Sequence, residues 1–331
     1  MFRLKHTTLT VSRGIVNHGR KTLLPASSCL GATRTHMNHG NPDHVMRPPP
    51  MAGPREPAAV MGLETAQNTS NILRLLEASH GSPYMAKDAI STVWHENALC
   101  WKYHDEKWQA HSPGETSELS KSATKQAPIS PRLRSLNFSD NRTALVKLVA
   151  SDGTTRYLSL LRLEEGTNRN DGWTIVREVQ VDQAIKAKNN SMASLQQTLQ
   201  QYLKIEHGGG VVDYTDATRL FAPRSSLLAV GMAAPDEEVS AWSAPAGSLL
   251  EIPLDTYLDG VKSQTPHADE AAAQDEICVV DVNGNAASAI VRVGNGARTL
   301  VFEDHLLLGQ SQGGVWKILS KTFSPQSWPQ Q

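Results

Sequence analysis

The chain reads as an α+β protein made of two tandem domains of one design. Three observations carry that expectation. The first is a repeat. Residues 141–181 and 283–323 share one pattern of strand, Gly-containing turn, strand, polar loop and a last strand opened by a tryptophan, Trp173 in one copy and Trp316 in the other. The turn signals, Asp152-Gly153 and Gly294-Asn295-Gly296, sit between short β-rich runs. The second is that helical periodicity precedes each copy. The third is length: 331 residues fit about two domains.

Taken in order, the first domain opens on an apolar stripe, Ile72, Leu73, Leu75 and Leu76. A second helix is expected from Ser82, a candidate N-cap followed by Pro83, through Ala86, Ile90 and Val93 to Trp94. A strand over 98–103 follows, then a polar stretch over 111–128, then the three strands of the repeat. The second domain starts with Leu195, Leu199 and Leu203 every four residues, Tyr202 beside them. After the break at Gly208-Gly209-Gly210, Asp213 caps a short helix reaching Leu220 and Phe221. A strand over 226–230, an acidic loop over 231–247 and a short helix over 252–261, capped near Asp255, lead into the second copy. The boundaries are 1–62 for a disordered leader, 63–182 for the first domain and 183–331 for the second, with 182–190 as the joint.

The leader carries Arg3, Lys5, Arg13, Arg20, Lys21 and Arg34 and no acidic residue before Asp43, and 47–57 is Pro-rich. That composition fits a transit peptide, which implies a mitochondrial or other organelle location; otherwise the chain is expected in the cytoplasm. Its His36, His39 and His44 suggest no metal site. With 32 basic and 33 acidic residues, the chain has no general electrostatic claim on nucleic acid or on an anionic membrane. No apolar run approaches the roughly 18–20 residues that span a bilayer. Cys29, Cys100 and Cys278 show no CxxC spacing, so free buried thiols are expected rather than a disulfide framework or zinc site. The triple glycine lacks the Lys and Ser/Thr of a phosphate loop, and no cofactor is expected.

The element order resembles the nuclear transport factor 2-like superfamily. In the second domain the residues carrying this are 220–223 (LFAP), 252–255 (IPLD), 280–287 (VDVNGNAA) and 316–323 (WKILSKTF). They look closest to the family called putative lumazine-binding, which is related to SnoaL-like polyketide cyclases. In the first domain 94–98 (WHENA), 157–161 (YLSLL) and 173–176 (WTIV) match. The resemblance implies two cone-shaped α+β barrels, each a curved antiparallel sheet wrapped around N-terminal helices to form a pocket. It implies a small-molecule-binding or scaffold protein, arranged as an internal pseudo-dimer, with a small apolar or aromatic ligand as partner and a further homodimer left open. The alternative is a cofactor-free isomerase, cyclase or dehydratase using a pocket acid or base in one cone.

Within the repeats, Asp304 and Lys321 are expected to face each other across neighbouring strands, as Arg156 and Glu178 do in the first copy with the charges exchanged. Such a pair either positions a ligand in the pocket or braces the sheet surface. The candidate ligand-binding residues are Asp304, His305, Lys321, Trp94, Trp101 and Tyr157. His305 stands where the first copy has Tyr157. Trp94, Trp101, Tyr103 and Trp108, placed on the second helix and first strand, line a flat pocket or fill the core. No metal site and no complete catalytic set is read from the sequence.

Overall fold

Short β-rich runs cannot bury an apolar face alone, and here they assemble into one six-stranded sheet per domain. The computed structural model describes residues 58–80, 92–115, 131–140, 142–164, 171–181, 191–208, 213–231, 244–245, 247–263, 275–294 and 300–327. The first domain comprises α1 (Ala58–His80), β1 (Trp94–His104), β2 (Lys107–His111), β3 (Arg132–Phe138), β4 (Thr143–Val149), β5 (Thr155–Arg162) and β6 (Trp173–Val181). The second comprises α2 (Ser191–Gly208), α3 (Tyr214–Leu220), β7 (Ser226–Val230), β8 (Leu249–Pro253), α4 (Leu254–Ser263), β9 (Glu276–Asn283), β10 (Ala286–Gly294), β11 (Leu300–Gln310) and β12 (Trp316–Ser327).

The sheet orders are β2-β1-β6-β5-β4-β3 and β8-β7-β12-β11-β10-β9, so the two domains have one topology. In each, the first strand runs parallel to the last, and the other neighbours are antiparallel. Trp173 and Trp316 occupy equivalent places, opposite Arg162 and Gln310, and both are buried in their domain's core. The Asp152-Gly153 turn joins β4 to β5, with Gly153 at φ 85°, a conformation glycine adopts without strain. No described helix is long and apolar enough to cross a membrane.

Strand alternation sends one set of side chains inward against the helices and the other set outward. Inside the second domain, Leu195, Leu199, Tyr202 and Leu203 of α2 meet Leu306, Leu308, Trp316 and Ile318. Asp213 caps α3 as expected, accepting from the Thr215 amide at 2.8 Å. Inside the first domain, Ile72, Leu75 and Leu76 pack with Trp94, Leu158, Leu160 and Trp173, while Leu73 is exposed.

The outward faces pack against each other. Trp101, Leu145, Tyr157 and Val179 of the first sheet join Ala286, Ile290, Leu307 and Leu319 of the second in one apolar cluster. The contact is reciprocal: β5 lies on β11, β6 on β10 and β4 on β12, which are exchanged equivalents. Polar groups stitch its margins. Asp281 accepts from the Tyr157 hydroxyl at 2.7 Å and pairs with Lys147 at 2.5 Å. Asn283 donates to Thr155, Ser324 donates to Asp140, and Ser139 meets His305 Nε2. The Trp108 indole donates to the Gln310 carbonyl at 3.2 Å while its ring covers Gly309, where any Cβ would collide with it.

Several expectations change. Each sheet has six strands rather than four, because β2, β3, β8 and β9 add outer positions. Trp94 opens β1 instead of closing a helix; Thr92 and Val93 before it are helical, and 81–91 lie outside the described residues. The 252–261 helix starts at Leu254, since Ile252 and Pro253 end the edge strand β8, where a proline is tolerated. α1 opens at Ala58, inside the stretch read as leader. Cys100 is buried as expected, whereas Cys278 is exposed at the outer strand β9. The Gly294-Asn295-Gly296 turn beyond Gly294, the 182–190 joint and most of the leader lie outside the described residues.

Candidate functional site

The second cone holds a buried charged cluster built from four elements. The 195, 199, 202 and 206 spacing places Tyr202 and Glu206 on the inner face of α2. Tyr257 comes from the buried face of α4, with Leu258 and Val261. Asp304 of β11 and Lys321 of β12 point inward at the same level. Asp304 Oδ2 accepts from the Tyr202 hydroxyl at 2.6 Å and lies 3.3 Å from Lys321 Nζ. The Lys321 ammonium donates to Glu206 Oε1 at 2.7 Å, and Tyr257 donates to the same oxygen. The rings of Tyr202, Tyr257 and Phe323 stand 5.2, 5.1 and 5.6 Å from that ammonium, within cation–π range.

The electrostatics follow from burial and counting. Two carboxylates share one ammonium. Burial pulls the Lys321 pKa down, but Asp304 and Glu206 outweigh it and hold the pKa above its ordinary value. Burial raises Glu206, yet Lys321 and the two phenols bring it below the usual carboxylate range. Asp304 is left as the proton-accepting member: burial and the Glu206 charge push it up to about 6 against the pull of Lys321 and Tyr202. Burial and the same carboxylates raise both phenols. Asp304 Oδ1 is buried and has no hydrogen-bond partner among the described residues.

The expected cross-strand pairs are present, with a corrected register. Asp304 is directly opposite Phe323 and Lys321 opposite Leu306, so the ion pair is diagonal. Arg156 is opposite Gln180 and Glu178 opposite Leu158, the same diagonal, and Arg156 reaches Glu178 at 2.8 Å. Neither pair braces an outer surface: both bind on the cone side. In the first cone both Glu178 oxygens are served, one by Arg156 and the other by the Cys100 thiol at 3.8 Å.

The structure divides the six candidate residues. Asp304 and Lys321 belong to the second cone, and Trp94 to the core of the first. Trp101, Tyr157 and His305 lie in the seam between the sheets, outside either cone. Alternation accounts for this, since His305 follows an inward Asp304 and Tyr157 an inward Arg156. Burial lowers the His305 pKa to about 3, so it stays neutral there. Tyr202, Glu206 and Tyr257 were missed. Their signal was a polar residue on each apolar helical face. Among the described residues, no group of acidic, His and Cys side chains could hold a metal.

A groove of about 820 Å³ opens elsewhere, between α3, the 221–226 link, the end of β8 and the start of α4. It does not include the Asp304 cluster. The cluster, with its buried unserved oxygen, is the better candidate for specific recognition inside the cone.

Residues 190–324, most of the second domain, match the model of the family described as putative lumazine-binding. The shared strand order extends the architecture to the first domain. Both domains have the fold called nuclear transport factor 2-like, a six-stranded sheet preceded by a helix. Among solved structures, the chain is similar to an NTF2-like protein of unknown function from Silicibacter pomeroyi (21% identity over 41% of this chain and 95% of that one, TM-score 0.29). It is similar to another from Methylobacillus flagellatus (20% identity, 44% and 99%, TM-score 0.32). A CaMKII hub from S. rosetta is also similar (17% identity, 40% and 95%, TM-score 0.27). No curated protein matches the chain.

Two outcomes test the cluster. Asp304→Lys sets a second buried cation beside Lys321 and should destabilise by about 3–5 kcal/mol. Adding Lys321→Asp restores opposite signs but places the new carboxylate against Glu206, so less than half of the loss should return. Denaturant unfolding of the double-mutant cycle measures this, and full recovery would show that Glu206 is not engaged.

The second outcome concerns pH. The folded-state pKa of Asp304 lies above its ordinary 3.8, near 6, so the folded protein binds the extra proton between those values. Stability from this group therefore falls as pH rises from about 4 to 6, by at most roughly 3 kcal/mol for a two-unit shift. In Asp304→Asn that slope should vanish, as read from melting curves across the window. Identical slopes in the two proteins would place Asp304 at its ordinary pKa.

Proposed function

We propose that the protein is a small-molecule-binding protein built as an internal pseudo-dimer, with the second cone as its ligand site. The observation that carries this reading is Asp304 Oδ1, an acceptor buried in the cone with no donor among the described residues. A buried carboxylate oxygen without a donor is costly, and a ligand N–H or O–H would satisfy it. The aromatic rings of Tyr202, Tyr257 and Phe323 suit a flat ligand, as does the family description of the second domain. The first cone serves as the structural half, because the carboxylate of its own pair, Glu178, has a partner on each oxygen. The reciprocal contact of the outer faces supports the pseudo-dimer: what two separate chains would do by association, one chain does at high effective concentration.

A second reading has its own support. A buried carboxylate with a pKa near 6 is suited to taking up a proton from a bound substrate, which favours a cofactor-free isomerase or cyclase.

Lumazine is the first probe, being a flat heteroaromatic with ring N–H donors. Titrating it into the full chain, followed by its own fluorescence, should give saturable binding at one site. Asp304→Ala should weaken binding by roughly 10- to 100-fold, the loss of a hydrogen bond to a charged group. Glu178→Ala should leave it unchanged. The proposal fails if wild type shows no saturable binding of lumazine or related pteridines, or if Asp304→Ala binds as well as wild type. Substrate turnover lost in Asp304→Asn would select the catalytic reading.

A further inference from the structure

The 820 Å³ groove on the outside of the second domain is unexplained by the cone site, and we infer that it is a separate binding site for a small amphipathic organic anion. Its size lies within the usual range for ligand pockets, about 300–1,000 Å³. The floor is apolar, made by Phe221, Ala222 and Leu254, the first two buried. Its charge is decided by what happens beneath it. Arg177 of β6, from the other domain, is buried under the groove and reaches Ser226 at 2.6 Å and Glu251 at 2.9 Å, both groove-lining residues. The Glu251 carboxylate is therefore neutralised from below.

Asp255 remains as the acidic side chain lining the groove, beside the cations Arg224 and Lys317. Arg224 is held in place by its own backbone, at φ 69°, and by a hydrogen bond from Nη1 to the Ala110 carbonyl at 3.3 Å. Its guanidinium makes no ion pair to a described residue. The result is an apolar trough with a cationic rim, complementary to a molecule that has a flat hydrocarbon body and one carboxylate, sulfonate or phosphate. Because Glu251 is neutralised by Arg177 of the other domain, the charge of the groove depends on the two domains being packed together. It is independent of the cone reading, since no residue of the Asp304 cluster lines it.

Anilinonaphthalene sulfonate is the probe, with neutral N-phenylnaphthylamine as its uncharged counterpart, each titrated into the full chain by fluorescence. The sulfonate should bind saturably, several-fold tighter than the neutral compound, and more weakly as salt is raised. Lys317→Gln and Arg224→Gln, each with a thermal midpoint near wild type, should each weaken the sulfonate by roughly tenfold. Neither should change binding of the neutral compound, and Asp304→Ala should leave sulfonate binding intact. Equal binding of both compounds, or unchanged sulfonate affinity in the two variants, would overturn the assignment. Loss of sulfonate binding in Asp304→Ala would place the probe in the cone instead and overturn it equally.

Discussion

Everything in this molecule depends on the packing of the two outer sheet faces against each other. A sheet whose inner face wraps helices still presents a second face, and here those faces carry apolar side chains that water would disfavour, Trp101, Leu145 and Val179 on one and Ile290, Leu307 and Leu319 on the other. The partner domain removes them from solvent. The polar groups in the seam are correspondingly demanding. Arg177 is buried, and burial lowers its pKa against the pull of Glu251. It remains acceptable there because Asn97 and Val176 carbonyls, Ser226 and Glu251 all accept from it. Two of those partners belong to the other domain, so separating the domains would strand a buried charge.

The seam also determines what each residue can do. Tyr157 and His305 occupy equivalent strand positions, and both reach across to the opposite domain, one to Asp281 and the other to Ser139. Both help to hold the halves together. The cones have diverged: the exchanged charges keep an opposite-sign pair in each, but α2 supplies Glu206 and Tyr202 to the second pair. The first is closed by a cysteine. Among the described residues, that difference leaves the carboxylate of the second pair with an unserved oxygen and that of the first with none.

Much of the fold was legible. The tryptophan-opened last strands, the Leu195–Leu199–Leu203 stripe and the Asp213 cap all follow from local chemistry, and each is where periodicity and capping place it. The outer strands were not legible, because β3 reads RLRSLNF and β2 KWQAH, where charge interrupts the apolar alternation. Trp94 was misplaced for a related reason. An aromatic residue at helical spacing from Ile90 can equally open a strand. Of the site, Asp304 and Lys321 emerged from comparing the two repeats. Glu206 did not, since a carboxylate on an apolar helix face announces itself only once the strand bearing its cation is known.

Native-state hydrogen exchange of the full chain tests the central claim most directly. If the seam makes the two domains one cooperative unit, the slowest amides of β6 and of β12 open with the same free energy, that of global unfolding. Their stability should then fall together when the seam is weakened by Arg177→Met. If β6 amides exchange through a sub-global opening well below those of β12, or if only one set responds, the domains are independent and the account is contradicted.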